Sequence, residues 1–351
     1  MANIELIDFD NWENLINELP HELLDIYFTP AYSILYEQGT REGLVRCIKF
    51  ERNGDLALYP FIERLIPLEL TEGKILKDIA TPYGYGGPIS ITKSTEFLKN
   101  FNDALDEFFY YSGYISEFIR FHPLLNNYRF RNCDVIFVHN TFGIDFSAEP
   151  FDIKDFWKES LFRGLRKSQK NGLLVNIEKL DFQNIQTFKQ LYFLTMERKK
   201  ANKYYFFSDD YWNLLLNLSK KHEVIYIGVS YLGDTIAAAI FLTWQDFYVH
   251  YHLGASNSKF LNLYPNNLLF ASIQSWAREK KYKFMHLGGG INKGDSLERF
   301  KRSISNTSFE FYVGRKIFRN EIYHELCDKA KKISPLKFSE DFFPSYRSIY
   351  R

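Results

Sequence analysis

The 351 residues leave room for two domains, each able to bury a core, and the 44 Lys and Arg against 43 Asp and Glu exclude broad electrostatic capture of nucleic acid. Three widely spaced cysteines, Cys47, Cys133 and Cys327, form neither a disulfide framework nor a CxxC metal motif. The acidic opening MANIELIDFDNWENL has no long apolar core and no apolar run reaches the roughly 20 residues of a membrane span, so a cytoplasmic protein without signal peptide or membrane insertion is expected.

From Gly43, GLVRCIKFERNGDLALYPFIER reads as two β-rich runs joined by a hairpin turn at Asn53-Gly54-Asp55. TPYGYGGPIS follows, too glycine-rich for an ordinary strand. A helix-like ALDEFFYYSG and a strand-like YISEFIRFHP come next, the latter containing His122. The β-like VIFVHNTFGIDF then gives way, within TFGIDFSAEPFDIKDFW, to an acidic, Pro-containing connector. This connector is the expected join of a domain 1–150 and a domain 151–351. Beyond it lie a basic helix, LFRGLRKSQKNG, stopped by Asn171-Gly172, and helices over 183–199 and 209–221.

The second half repeats the first. EVIYIGVSYLGDTIAAAIFLTW, from Glu223, is again a hairpin, turning at Leu232-Gly233-Asp234. VHYHLGASN, LLFASIQSWAREKK and YKFMHLGGG complete the order: hairpin, glycine-bearing strand end, helix, strand ending in a histidine, here His286. The same order twice argues for duplication. A charged segment DSLERFKRS, a strand FEFYVGRKI and a helix over 320–332 close the chain.

The segment HYHLGASNSKFLNLYPNNLL is the richest in chemistry. His250 and His252 would share a strand face, but no third ligand has suitable spacing and no metal is expected. Pro265 sits where a helix tolerates proline, at its start, and Leu269, Ile273, Trp276 and Ala277 then repeat at helical spacing. The first-turn amides of such a helix lack intrahelical partners, and Gly254 and Ala255 permit close backbone approach. Gly254, Ala255, Ser256, Asn257, Pro265, Asn266 and Asn267 are therefore the expected seat of a phosphate or pyrophosphate.

Hairpin, strand, phosphate-facing loop, helix and strand is an order that resembles the core of the GNAT acyltransferases, where the loop and helix start hold the coenzyme A pyrophosphate. The Q/R-x-x-G-x-G/A loop signature of that family is absent here. RGLRKSQKNG paired with YPNNLL…WAREKKYKFMHLGGG…LERFKRS is similar to the Fem-type, tandem-GNAT branch. TPYGYGGPI is similar to relatives in bacterial surface-sugar pathways. The resemblance implies a mixed α/β fold of two tandem GNAT-like domains with the active site in the cleft between them, acyl-CoA on the second and the acceptor on the first. It implies transfer of an acyl group from acyl-CoA to the amino group of a nucleotide-linked amino sugar, as in O-antigen or lipopolysaccharide biosynthesis, in a ternary complex without a covalent enzyme intermediate. Phe300-Lys301 matches the position of an active-site lysine in Fem-type enzymes, which assigns Lys301 to an anionic group, either the acceptor's phosphates or the developing oxyanion. The chain lacks the coiled-coil arm and the basic excess of many aminoacyl-tRNA users. A Fem-like transferase that uses aminoacyl-tRNA on a peptidoglycan precursor, and a non-catalytic binding module with a degenerate GNAT core, stand as alternatives.

An amine attacking a thioester must lose a proton, and the tetrahedral oxyanion needs donors, expected from backbone N–H groups on the strand before Gly254. His252, two residues before Gly254, is the first candidate base, and His286, ending the neighbouring strand, the second. Tyr83, Gly84, Tyr85 and His122 are placed on the acceptor side, the tyrosines to stack or hydrogen-bond. Arg163, Arg166 and Lys167 either reach a phosphate or form a solvated basic face.

Overall fold

The computed structural model describes residues 3–147, 151–290 and 294–350. The chain divides into two compact units: Met1–Val138 with Phe311–Arg351, and His139–Glu310. Among the described residues no helix is long and apolar enough to cross a membrane.

The first unit begins with β1 (Asn3–Ile7), α1 (Phe9–Glu18) and α2 (Pro30–Ile34). The hairpin β2 (Leu44–Arg52) and β3 (Asp55–Leu65) follows. It closes at Asn53 and Gly54, whose φ of 55° and 84° are the paired positive values that match strand twist. Then come α3 (Leu68–Thr71), β4 (Lys77–Ala80), β5 (Ile89–Ser90), α4 (Thr95–Tyr111), β6 (Tyr114–Arg120) and β7 (Asp134–Asp145), along which the chain passes into the second unit. Phe97, Phe101, Leu105 and Phe109, at helical spacing on α4, pack on Phe50, Tyr59 and Phe61 of the sheet.

The second unit contains α5 (Glu159–Lys170), β8 (Leu174–Lys179), α6 (Phe182–Arg198) and α7 (Asp209–Lys221), then the hairpin β9 (Val224–Tyr231) and β10 (Asp234–Trp244). Leu232 and Gly233, at φ 53° and 91°, repeat the turn of the first hairpin. β11 (Tyr248–Ser256), α8 (Pro265–Glu279), β12 (Phe284–Gly288), α9 (Ser296–Ser303) and the start of β13 (Thr307–Ile317) complete it. Leu269, Ile273 and Ala277 of α8 are buried against Ile227, Phe241 and Met285, the face expected from their spacing. The chain then re-enters the first unit, ending in α10 (Asn320–Ile333) and a short helical turn over 345–350.

The two sheets share one pairing plan. In the first unit β1, β2, β3 and β4 pair antiparallel in turn, β4 pairs parallel with β6, and β6 pairs antiparallel with Val313–Ile317 of β13. In the second, β8, β9, β10 and β11 pair antiparallel, β11 pairs parallel with β12, and β12 pairs antiparallel with the 142–145 end of β7. Each sheet thus takes its last strand from the opposite half of the sequence. A single join at 150, which lies outside the described residues, does not reproduce this division. The chain changes unit within β7 and again within β13. The reason is packing: Tyr323, Leu326 and Ala330 of α10 are buried with Ile66, Leu70 and Ile115 of the first unit.

Candidate active site

The site of the second unit grows from a departure in the parallel pair. β11 and β12 are in register only over Tyr248–His250 and Phe284–His286. β11 then runs on to Ser256 without pairing with β12. Its far side stays paired with β10, Gly254 opposite Ala239 and Ala255 opposite Ala238. Among the described residues β12 gives the near side of this stretch no strand partner, and an extended chain bearing amides could add there as a strand does. A cleft of about 120 Å³ lies along this edge, lined by Ala238, Ala239, Gly254, Ala255 and Ser256 of the strands, Leu269 and Phe270 of α8, and Phe300 and Lys301 of α9. Gly254 is required by a close approach: a Cβ there would stand 1.9 Å from the Tyr251 hydroxyl. Thr195 of α6 holds the strand end, accepting the Ser256 N–H at 3.1 Å.

Lys301 sits in the wall of this cleft and is only 7% exposed. Its ammonium donates to the Gly289 carbonyl at 2.8 Å and stands 5.5 Å from the centre of the Tyr251 ring. Burial presses its pKa from 10.5 down to about 8; Asp295 opposes the fall and Lys199 adds to it. α9 is started by Asp295, whose carboxylate accepts the Glu298 N–H, so a three-residue cap fixes the lysine's position two turns on.

The histidines stand elsewhere. His252 is the extra residue of a β-bulge, since Ile240 faces Leu253 and Phe241 faces Tyr251. The bulge turns its ring toward α7, where Nε2 lies 2.7 Å from the Tyr211 hydroxyl. Burial, with the neighbouring His250 second, lowers its pKa to about 3. His286 is buried, with Nε2 2.9 Å from the Thr141 hydroxyl and its ring on Phe309. Neither imidazole lines the cleft. Asn257 starts the helical turn 258–263, and Asn267 donates to the Leu161 carbonyl at 2.9 Å, fastening α8 to α5. Pro265 is at the first position of α8, behind Tyr264 in the left-handed region at φ 59°, and no side chain caps the helix N-terminus. Lys167 of α5 stands beside that terminus, 5.2 Å from the Tyr264 ring centre. Gly164 lets the two helices meet, because a Cβ there would lie 2.5 Å from Asn267.

In the first unit the glycine-rich segment after β4 is tightly held. The Thr81 hydroxyl accepts the Arg120 N–H at 3.0 Å, and Gly86 donates to the Arg120 carbonyl at 2.8 Å. Buried Asn127 donates to the Gly86 and Pro88 carbonyls at 2.8 and 3.0 Å and accepts the His122 N–H at 2.8 Å. Tyr32 donates to the Tyr83 carbonyl at 2.7 Å. Gly84, at φ 94°, could not carry a Cβ, which would meet Tyr27 and the Tyr32 hydroxyl at 2.8 Å. Tyr83 is 40% exposed, while Tyr85 is half-buried between Tyr27 and Phe311. His122 is buried, its Nδ1 accepting from the Leu124 and Leu125 amides, which leaves the proton on Nε2 to bond the buried Asp25 carboxylate at 2.8 Å.

Of the residues expected from sequence, the structure brings Gly254, Ala255, Ser256, Asn266 and Lys301 to one cleft. Thr195, Tyr251, Tyr211 and Asn127 were not legible, because a threonine in a helix or an asparagine in a loop carries no signal until its partner is known.

An acetyltransferase (GNAT) domain model matches residues 158–302. No curated protein matches by sequence. Among solved structures the chain is similar to FemX, at 13% identity and a TM-score of 0.67, over 92% of this chain and 99% of that one. It is also similar to the C-terminal domain (DUF2156) of a putative lysylphosphatidylglycerol synthetase from Agrobacterium fabrum, at 13% identity and a TM-score of 0.56, over 88% and 92%. A third likeness is to L-PGS from Bacillus licheniformis, at 15% identity and a TM-score of 0.51, over 76% and 84%. At these identities the likeness is one of fold, a mixed α/β fold of tandem GNAT-like units. Within that fold, residues 158–302 match an acetyltransferase (GNAT) domain, the part of the chain that points to acyl transfer.

Proposed function

We propose that the protein transfers an acyl group from acyl-CoA to the amino group of a nucleotide-linked amino sugar. The observation that carries the donor half is the edge of β11 beyond His250, which leaves β12 and borders the cleft. The amide-bearing arm of coenzyme A adds to this edge, bringing the thioester to the cleft. The uncapped N-terminus of α8, with Lys167 beside it, suits the pyrophosphate. Residues 83–85, on a rigid loop, are assigned to the acceptor.

In the reaction the amine nitrogen attacks the thioester carbonyl carbon, the C–N bond forms, the C–S bond breaks, and the amine's proton leaves with the thiol. Lys301 takes the developing oxyanion or lies beside it, where a buried ammonium acts through a low local dielectric. A ring with a pKa near 3 is a poor proton acceptor at neutral pH, so His252 is assigned a positioning role through Tyr211. The proton passes to solvent or to the departing thiolate, whose pKa of about 8.5 makes it a competent acceptor.

The test is thiol release from acetyl-CoA in the presence of a panel of nucleotide-linked amino sugars. Turnover with at least one of them, absent without acceptor, is expected. Dependence on charged tRNA, or coenzyme A binding without turnover on any amine, would overturn the reading.

A further inference from the structure

Arg120 is a residue that the sequence does not single out. It ends β6, and Phe118, two positions back, lies on the same strand face. Its guanidinium stands 5.0 Å from the Phe118 ring centre and 5.9 Å from that of Tyr83. Phe118 is in turn backed by Phe343 at 6.4 Å. Its own backbone is gripped on both sides by the glycine segment, through Thr81 and Gly86. Among the described residues the other buried or half-buried arginines of this unit have acceptors: Arg64 and Arg347 on Asp78, Arg131 on Glu117 and Asp106, Arg315 on the Asp341 carbonyl and Arg319 on the Tyr110 carbonyl. Among the described residues Arg120 has ring faces for neighbours, with no carboxylate within 4.0 Å and no acceptor on its five N–H donors.

A guanidinium over aromatic rings keeps its N–H donors for another partner, and its fork of donors matches two oxygens of a phosphate. Neighbouring rings restrict the side chain in advance, so less of its entropy is lost on binding. Tyr83, partly exposed, offers a face to a flat or ring-shaped group next to it. The Tyr32 hydroxyl holds the Tyr83 carbonyl, and Asn127 holds the Gly86 carbonyl three residues on.

We propose that Arg120 and Tyr83 form a nucleoside-diphosphate recognition site on the first unit, Arg120 reading the diphosphate and Tyr83 stacking on the attached ring. The inference rests on the acceptor class proposed above, and adds the residues that select it. Phosphate oxygens could also come from coenzyme A, so the two sources are separated in the test.

The experiment is titration calorimetry on the full chain with UDP, TDP and GDP, their nucleosides, inorganic pyrophosphate and coenzyme A. Wild-type protein is expected to bind at least one diphosphate ten-fold or more tighter than its nucleoside. Losing charge-assisted bonds to phosphate, Arg120→Gln should weaken that diphosphate about ten- to a hundred-fold while leaving coenzyme A within two-fold. Arg120→Lys, which keeps the charge and loses the fork, should recover only part of the loss. Tyr83→Ala should weaken nucleoside and diphosphate by the same factor and leave pyrophosphate unchanged. Diphosphate affinity unchanged in Arg120→Gln, or coenzyme A weakened by the same factor, overturns the assignment. Coenzyme A binding with no diphosphate binding overturns it too. Diphosphate binding without coenzyme A binding leaves it standing and removes the donor reading instead.

Discussion

Replacing Lys301 by methionine should make the protein more stable at neutral pH and less active. The wild-type ammonium is 7% exposed, and its pKa falls from 10.5 to about 8 in the folded chain. At about 1.4 kcal/mol for each tenfold change, keeping this charge folded costs about 3 kcal/mol. Methionine removes that cost, and loses a hydrogen bond to the Gly289 carbonyl and a contact with the Tyr251 ring, worth about 1 kcal/mol each. A net gain of about 1 kcal/mol at pH 7 is left. The pH dependence gives the sharper check. Below pH 8 both folded and unfolded states carry the proton and the penalty is complete. Between 8 and 10.5 the unfolded state holds a proton that the folded state has released, so wild-type stability rises with pH, and above 10.5 the penalty is gone. Urea unfolding of both proteins at pH 7, 8.5 and 10 should show the variant ahead at pH 7 and its lead gone by pH 10. A gap that stays constant over that range, or a variant less stable by more than 1 kcal/mol at pH 7, would refute the reasoning. Thiol release by the variant should fall by about ten-fold or more, the scale of one lost donor to an oxyanion.

Other perturbations follow from the same geometry. With its pKa at about 3, His252 should leave no inflection near pH 6.5 in the rate profile, and His252→Gln should keep the profile's shape; a limb at 6.5 lost in the variant would restore the base assignment. Because that pKa lies below the unfolded value of 6.5, wild-type stability should also drop as pH falls from 6.5 toward 3, a slope the variant lacks in acid unfolding. Arg131→Met strands the buried Glu117 carboxylate and should cost about 3–5 kcal/mol in urea unfolding, much of it regained by adding Glu117→Gln. Asn127→Ala removes two hydrogen bonds to the glycine segment and one to the His122 amide and should cost about 2–3 kcal/mol, with faster limited proteolysis at residues 83–88 and coenzyme A affinity unchanged. Gly254→Ala drives a methyl into the Tyr251 hydroxyl; overpacking of about 1–3 kcal/mol and weaker coenzyme A binding are expected in calorimetry.

Much of the architecture was written in short-range signals. Asn53-Gly54 and Leu232-Gly233 specify their hairpins through φ at two residues. Pro265 marks the start of α8 because only a first helical position tolerates it, and the spacing of Leu269, Ile273 and Ala277 chooses its buried face. Read in order, these elements were enough to expect a duplicated mixed α/β fold. What the sequence could not contain was which strands would meet. The exchange that gives Val313–Ile317 to β6 and residues 142–145 to β12 depends on pairings between segments far apart along the chain. The cleft exists because β11 and β12 stop pairing after three residues, a property of backbone paths and of no residue type. The same holds for single side chains: a bulge at His252 turned a plausible base toward Tyr211, whereas burial in the cleft wall set Lys301 apart from the charged run around it. Local sequence determines conformations that neighbours within a few residues decide; burial, pKa and the opening of a cleft are decided by atoms that only the folded chain brings within reach.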